Sequence, residues 1–153
     1  MKPIMTISID QNIQLELISE NHSQPIFDLV DKNRSHLRAW LPFVDRMIDV
    51  RFAENFVKET MERNTGGTEF AFVILKDNSA VGRIGVYKID NQNKIGEIGY
   101  WLAETAQGEG IITRSCKSLI EFCFSDLGLN RIEIKCGTHN FKSKSIPEKL
   151  NFT

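Results

Sequence analysis

Hydrophobic and polar residues alternate over residues 95–103 and then change to a helical spacing. Ile98 and Leu102 lie on one side of the alternation and Glu97 lies on the other, as expected for a β-strand. After a polar break at 104–106, apolar residues recur every three or four positions, at Ile112, Cys116, Leu119, Ile120, Cys123 and Leu127. The sequence therefore predicts a central strand packed on both faces, a short loop and a long amphipathic helix.

The rest of the chain shows the same two kinds of pattern. They predict one or two strands within 4–17, helices at 21–33 and 51–63, strands at 69–75, 80–87 and 131–137, and a final helix. Residues 76–79 are typical of a β-hairpin turn. A right-handed crossover through the long helix makes 95–103 and 131–137 parallel. We therefore expect a single mixed α/β domain over residues 1–153.

The loop at 107–113 is the main candidate for a binding site. Gly108 and Gly110 allow a tight turn and leave space beside the main chain, and the helix that follows presents unpaired N–H groups. Such a helix start attracts anions, and a pyrophosphate suits it. The alternative is an ordinary strand-to-helix turn in which the glycines serve only geometry.

Two other phosphate-binding motifs fit these residues poorly. A Walker loop needs a Gly-Lys dipeptide, and the chain contains none. A dinucleotide-binding motif needs a third glycine, and Thr113 occupies that position. The sequence therefore disfavours a nucleotide triphosphatase and a dinucleotide-dependent enzyme.

Composition and charge narrow the function further. The chain has 153 residues with 19 basic and 20 acidic side chains and no basic run, so nucleic acid is not the expected ligand. The sequence shows no secretory signal, no apolar run of membrane-spanning length and no metal-binding cysteine spacing. We expect a cytoplasmic protein that binds neither membrane nor metal, with Cys116 and Cys123 packed in the core.

Three segments resemble the GNAT superfamily of N-acetyltransferases. Gln107-x-x-Gly110 resembles its Q/R-x-x-G-x-G/A acetyl-CoA signature. The surrounding GYWLAETAQGEGIIT is similar to the RimJ/RimL-like branch, the ribosomal-protein N-terminal acetyltransferases and their relatives. Residues 140–153 are similar to the N-x-K-S…EKLGFT segment of that branch, and residues 33–42 match more weakly. The resemblance covers nearly the whole chain in the family's order.

This resemblance implies a fold, a reaction and a cosubstrate. The implied fold is a mixed, mostly antiparallel sheet with a central parallel pair that splays apart, and with helices on both faces. The implied reaction transfers an acetyl group from acetyl-CoA to a primary amine by direct attack in a ternary complex, without a metal. The amine is either the N-terminal α-amine of a protein, such as a ribosomal protein, or a small molecule.

The resemblance also implies which residues bind acetyl-CoA. The loop and the first helical turn bind the diphosphate, the main chain at the end of the central strand binds the pantetheine arm, and an asparagine bonds the pantetheine amides. The alternatives are ordinary sheet pairing and a turn or cap. The implied residues are Leu102, Ala103, Gln107, Gly108, Glu109, Gly110, Ile111, Ile112, Thr113 and Asn140.

Two residues are candidates for catalysis. Glu97 matches a position where family members often carry a glutamate, so it is the expected base; the alternative is a solvated or lysine-paired glutamate. Pro147 stands where many members place the tyrosine that protonates the leaving thiolate. Ser143 matches the serine of the N-x-K-S pattern and is the candidate for contacting the sulfur, or else a helix cap.

Some positions depart from the family pattern. Ile112 stands where the signature has glycine or alanine, and Asn151 replaces the glycine of the LGF segment. The sequence ends at Thr153, where the family continues with a terminal hairpin. We therefore expect a truncated chain, an open strand edge that pairs with another subunit in a homo-oligomer, or coenzyme binding without turnover. The rival function is a non-catalytic acyl-CoA-binding or interaction protein.

The apolar residues within 37–43 allow two interpretations. Leu37, Trp40, Leu41 and Phe43 lie close together in the sequence around Pro42. They either pack in the core or, as the resemblance implies, form a wall of the acceptor pocket.

Overall fold

The computed structural model describes residues 5–38 and 41–134. The strands are β1 Thr6–Ser8, β2 Ile13–Leu17, β3 Phe70–Lys76, β4 Ser79–Asp90, β5 Ile95–Leu102 and β6 Arg131–Ile134. The helices are α1 Ser23–Lys32, α2 Arg34–Arg38, α3 Val50–Thr65 and α4 Ile111–Ser125. Short 3-10 turns occur at Glu20–His22, Pro42–Asp45 and Glu104–Ala106.

The described strands form one six-stranded sheet in chain order, β1-β2-β3-β4-β5-β6. Neighbouring strands are antiparallel except β5 and β6, which run parallel with Glu97 opposite Glu133. The predicted mixed sheet and its parallel pair are therefore confirmed. Of the strand predicted at 131–137, residues 135–137 lie outside the described residues, as does the predicted final helix.

The β3–β4 hairpin turns at Asp77 and Asn78, between the paired residues Lys76 and Ser79. Asp77 and Asn78 have φ angles of 49° and 67°. A two-residue turn of the I′ type requires such positive φ angles, and aspartate and asparagine adopt them more readily than other non-glycine residues. The hairpin predicted from these turn residues is confirmed.

The helices lie close to their predicted positions, with one addition. Asp49 caps α3, since its side chain accepts a hydrogen bond from the Phe52 N–H at 3.3 Å. The helix predicted at 21–33 is a 3-10 turn followed by α1, and the additional helix α2 follows it. The break falls at Asn33, whose side-chain amide donates to the Leu29 carbonyl at 2.8 Å. This hydrogen bond satisfies a carbonyl at the end of α1 and lets the chain change direction.

Hydrophobic side chains pack on both faces of the sheet. Helix α4 covers one face, and α1, α2 and α3 cover the other. Strand β5 contributes to both cores, with Ile98 and Leu102 on the α4 face and Trp101 on the opposite face. The predicted packing of this strand on both faces is confirmed. Leu37 is buried in the second core, so this part of 37–43 packs.

We expect Leu119→Ala to lower the free energy of unfolding by about 2–5 kcal/mol, because the truncation leaves a cavity between α4 and the sheet. Leu119 is fully buried there. The control is Phe124→Ala on the same helix, because Phe124 is 46% exposed and surface substitutions usually change stability by only about 0.5 kcal/mol. Urea unfolding measures both variants. Equal losses in the two variants would contradict the packing of α4.

Candidate active site

The loop between β5 and α4 bends at two glycines. Gly108 and Gly110 have φ angles of 84° and 73°, in the left-handed region that glycine adopts without strain. Gly110 is the N-cap residue of α4, and no side chain caps the helix at this position. Apart from its two chain neighbours, no described residue has an atom within 4 Å of the position that a Cβ on Gly108 would occupy. The glycines therefore bend the chain and leave its main chain accessible.

The main-chain N–H groups of this loop have no partner in the part of the chain that the structure describes. From residue 108 to residue 113, none donates to a described acceptor, and the first paired N–H is that of Arg114, which donates to the Gly110 carbonyl at 3.1 Å. The first N–H groups of a helix also carry the positive end of its dipole. Consecutive unpaired donors at a helix start are suited to a phosphate or diphosphate.

Two basic side chains lie beside the loop. Lys76, at the end of β3, lies 2.6 Å from a carboxylate oxygen of Glu109. Arg114 donates to the Glu109 carbonyl at 2.8 Å and lies 3.3 Å from a carboxylate oxygen of Asp10. Hydrogen bonds from main-chain N–H groups of the β1–β2 turn hold the pKa of Asp10 below its usual value, so Asp10 stays charged beside Arg114. Neither basic residue was among the predicted site residues.

Helix α2 contacts the beginning of the loop. The side-chain amide of Gln107 lies 2.8 Å from Nε2 of His36. The main-chain N–H of Glu104 donates to Oδ1 of Asn33 at 3.1 Å. Both contacts join residues 71 positions apart in the chain. They hold the loop against α2, within the weakly matching segment 33–42.

Two hydroxyl groups near the start of α4 are buried without a hydrogen-bond partner among the described residues. They are Oγ1 of Thr113, which belongs to the predicted site, and Oγ of Ser115, which does not. Buried hydroxyl groups are usually hydrogen-bonded, so each of these needs a physical explanation. A bound anion supplies one for Thr113, because its hydroxyl can donate to a phosphate oxygen beside the unpaired N–H groups.

At the end of β5, one main-chain edge is paired with β4 and the opposite edge faces away from β4. The N–H of Ala103 donates to the Val81 carbonyl at 2.7 Å, on the β4 side. Successive peptide groups of a strand point to opposite edges, so those of Leu102 point away from β4. A main-chain contact with a ligand is therefore possible at Leu102, whereas the N–H of Ala103 is already used in the sheet.

Glu97 lies within β5 on the face covered by α1 and α3. Its side chain is 19% exposed, and one carboxylate oxygen lies 3.9 Å from Nζ of Lys88. Lys88 is itself 79% exposed, so this ion pair is weak. Tyr87 lies opposite Glu97 on β4. The ion pair with Lys88 is thus long and solvated.

The remaining predicted site residues lie outside the described residues. They are Asn140 and Ser143; Pro147 and Trp40 also lie outside the described residues. Their roles stay predictions.

Cys116 and Cys123 are buried on the α4 face of the sheet. Burial raises the pKa of each thiol to about 12. Both thiols are therefore protonated and unreactive near neutral pH, which is typical of packing residues. The prediction that they pack in the core is confirmed.

No helix within 5–38 and 41–134 is long and apolar enough to cross a membrane. Over the same ranges, no three histidine, cysteine, aspartate or glutamate side chains cluster as metal ligands.

Residues 12–153 match the family described as the acetyltransferase (GNAT) domain. The chain belongs to the GNAT acetyltransferase family. Among its relatives, the ribosomal-protein-serine acetyltransferase of Escherichia coli (strain K12) is 32% identical over 150 residues, covering 96% of this chain and 82% of that protein. The predicted membership is therefore confirmed.

Solved structures of GNAT relatives have the same fold. RimL, a ribosomal L7/L12 alpha-N-protein acetyltransferase in complex with coenzyme A, superposes with a TM-score of 0.94 at 26% identity, covering 97% of this chain and 84% of that one. An acetyltransferase described as modifying the N-terminal serine of L7/L12 in Salmonella typhimurium gives 0.88 at 27% identity, covering 97% and 85%. The predicted α/β GNAT fold is therefore confirmed.

This GNAT chain is an acetyl-CoA-dependent N-acetyltransferase, and acetyl-CoA is its cosubstrate. Its own residues fit a coenzyme with a diphosphate. The unpaired N–H groups at 108–113 and the Thr113 hydroxyl are donors for phosphate oxygens. Lys76 and Arg114 lie beside them, each paired with a carboxylate. These residues suit a diphosphate, and its binding to this loop stays a prediction.

We expect Gly110→Ala to raise the dissociation constant for coenzyme A about tenfold or more. A φ angle of 73° costs a non-glycine residue about 1–2 kcal/mol, so the loop shifts and its N–H groups lose their common direction. The added Cβ would also lie 3.2 Å from Nη1 of Arg114. Isothermal titration calorimetry measures the binding.

The matched control is Gly128→Ala. Gly128 has a φ angle of 67° and no neighbour within 4 Å of its Cβ position, and it lies beyond the opposite end of α4. This variant has the same backbone strain and should bind coenzyme A as the wild type does. Unchanged coenzyme binding by Gly110→Ala would contradict the predicted role of the loop.

Proposed function

We propose that this enzyme acetylates the N-terminal α-amine of a protein. The names of its relatives support this acceptor, since one is a ribosomal-protein-serine acetyltransferase and another is an L7/L12 alpha-N-protein acetyltransferase. The chemistry of amines supports it too, because only a neutral amine attacks. Near neutral pH, deprotonation costs about 1 kcal/mol for an α-amine but about 4–5 kcal/mol for a lysine side chain. An α-amine therefore needs less help from the protein.

The observation that carries the proposal is the row of unpaired N–H groups at 108–113. They follow β5, the strand that carries Glu97, after the short 3-10 turn at Glu104–Ala106, so the proposed coenzyme site and the proposed base are close in the chain. Acetyl-CoA supplies an activated acetyl thioester. Within this proposal Leu102 bonds the pantetheine arm through its main chain, and Asn140 bonds the pantetheine amides.

Glu97 is the proposed base, and it accepts the proton that the amine loses on attack. Its carboxylate is largely shielded from solvent and faces the side of the sheet covered by α1 and α3. General bases need such a fixed and partly desolvated position close to the reacting amine. Ser143 is proposed to contact the leaving sulfur, because Pro147 cannot donate a proton.

We expect the purified enzyme to release coenzyme A thiol from acetyl-CoA when it is given peptides with a free N-terminus. A thiol-release assay at about pH 7.5, near neutral, compares three kinds of peptide. The first has a free N-terminus, the second is the same peptide with its N-terminus acetylated, and the third is N-terminally acetylated but carries an internal lysine. Release should require the free α-amine, because the lysine amine is almost fully protonated at this pH. Faster release with the lysine peptide would contradict the proposed acceptor. Coenzyme binding without release for any amine would favour the non-catalytic alternative.

We expect Glu97→Gln to lower kcat about 100-fold and to flatten its rise with pH, because the variant cannot take up the amine proton. Steady-state rates with a saturating peptide from about pH 6 to about pH 9 measure both effects, across the range in which an α-amine deprotonates. The control is Glu121→Gln on the exposed surface of α4, which removes the same charge. A pH–rate profile identical to that of the wild type would exclude Glu97 as the base.

A further inference from the structure

We propose that Arg83 and Trp101 form a subsite that binds a carboxylate of the amine substrate. Arg83 lies on β4, and Trp101 lies opposite it on β5. Both side chains are on the face covered by α1 and α3, the face that also carries Glu97. This inference rests on the proposed function, since Glu97 marks where the amine reacts.

The guanidinium group of Arg83 is buried, but its donors are not satisfied. Arg83 is only 7% exposed, and its Nε has no hydrogen-bond partner among the described residues. The carboxylate oxygen Oε2 of Glu69, which is also buried without a hydrogen-bond partner among the described residues, lies 3.9 Å from Nη2, beyond hydrogen-bond distance. A buried charge without hydrogen bonds is unfavourable. A ligand that accepts hydrogen bonds from Arg83 would remove this penalty.

Positive charge is in excess around Arg83. The other carboxylate oxygen of Glu69, Oε1, accepts a hydrogen bond from Nε of Arg63 at 3.1 Å. Two guanidinium groups therefore share one carboxylate group. This arrangement favours an anionic ligand over a neutral or cationic one.

Two aromatic rings make cation–π contacts with the guanidinium group of Arg83. Its central carbon lies 4.2 Å from the ring centroid of Phe56 and 5.4 Å from that of Tyr87. These cation–π contacts fix the position of the group but do not use the N–H donors at its edge. A carboxylate matches that edge, because its two oxygens can accept two parallel hydrogen bonds.

Trp101 supplies a second donor on the neighbouring strand. Its Nε1 is buried and has no partner in the described part of the chain, and an indole N–H can only donate. A water molecule would accept a hydrogen bond but would leave the charge of Arg83 uncompensated. A carboxylate provides both the acceptor oxygens and the compensating charge.

The spacing on β5 suggests where the carboxylate lies on the acceptor. Trp101 follows Glu97 by four positions, which corresponds to about 13 Å between their main-chain positions along the strand. Between them Gly99 faces Gly85 of β4, and the Tyr87 ring lies over both glycines, 2.8 Å and 3.3 Å from the Cβ positions that Gly85 and Gly99 would have. The Arg83 guanidinium lies 5.4 Å from the ring of Tyr87, the residue opposite Glu97, so about 13 Å is the upper limit for the distance that the acceptor spans. An extended peptide crosses about 13 Å in about four residues. We therefore assign the carboxylate to an aspartate or glutamate among the first few residues of the acceptor.

The first test uses the wild-type enzyme with saturating acetyl-CoA and pairs of peptides that differ only by glutamate or glutamine at position 2, 3 or 4. At one of these positions we expect kcat/KM for the glutamate peptide to exceed that for the glutamine peptide about tenfold or more, mainly through a lower KM. The glutamine peptide cannot form the charge-assisted hydrogen bond. The preference should weaken as salt is added. Coenzyme release with no preference at any position overturns the assignment to a peptide side chain, and it overturns the whole subsite if β-alanine and its amide also react equally. No release from any peptide overturns the proposed function as well.

A small acceptor distinguishes the source of the carboxylate. β-Alanine and its amide are primary amines with and without a carboxylate, and their rates are compared per neutral amine, because the carboxylate also raises the pKa of the amine. A preference for β-alanine over its amide, in the absence of any preference among the peptides, supports the subsite and overturns its assignment to a peptide side chain.

The second test removes each donor. Arg83→Gln removes the charge, and Trp101→Phe removes the indole N–H but keeps a ring. We expect each to reduce the glutamate preference at least about fivefold, as the loss of one hydrogen bond predicts. The control is Arg51→Gln, which removes the same charge from a side chain that is 84% exposed and should leave the preference unchanged.

Thermal melting and coenzyme titration establish that each variant is folded and binds its cosubstrate. If Arg83→Gln does not fold, Trp101→Phe and Arg83→Lys take its place, because lysine keeps the charge but loses the two-pronged donor edge. Retention of the full preference in the folded variants overturns the proposal.

Discussion

Unpaired main-chain N–H groups at the start of α4 are the constraint on which the rest of this site depends. A helix cannot satisfy its first donors internally, and here no side chain satisfies them among the described residues. The surrounding structure holds these donors in place. The buried face of α4 fixes the helix, and the contact between Gln107 and His36 fixes the loop. An anionic ligand therefore meets donors that are already oriented, and it loses little conformational entropy on binding.

Strand β5 connects this anion site with the opposite face of the sheet. Because side chains alternate along a strand, Ile98 and Leu102 anchor β5 to the α4 core while Glu97 and Trp101 face α1 and α3. The main chain of the same strand leads into the glycine loop. The strand and the short turn after it thus set the distance between the loop proposed to bind the diphosphate and the side chains proposed to act on the amine. This distance matters, since small displacements of reacting groups are costly in rate.

The local patterns of the sequence predicted most of the fold but only part of the site. Alternation and helical spacing depend on neighbouring residues, and the Asp77-Asn78 turn depends on two residues, so these elements could be predicted. The contact of Lys76 with Glu109 joins residues 33 positions apart, and that of His36 with Gln107 joins residues 71 positions apart. No local pattern marks such contacts. Arg114 is the exception, because a basic residue one turn after Gly110 must lie near the loop.

Two arginines of this protein show how a structural role differs from a binding role. Arg34 donates to Asp31 at 2.8 Å, to the Val44 carbonyl at 2.7 Å and to the Met47 carbonyl. Each of its three nitrogens is thus used to hold α2 against α1 and the segment after α2. Arg83 is more deeply buried, yet it donates no hydrogen bond to a described residue. Cation–π contacts and a distant carboxylate position Arg83 without using its donor edge. A buried arginine that contacts rings and a distant carboxylate but donates no hydrogen bond to a described residue fits a residue that donates to a ligand, because those hydrogen bonds further offset the cost of burying the charge.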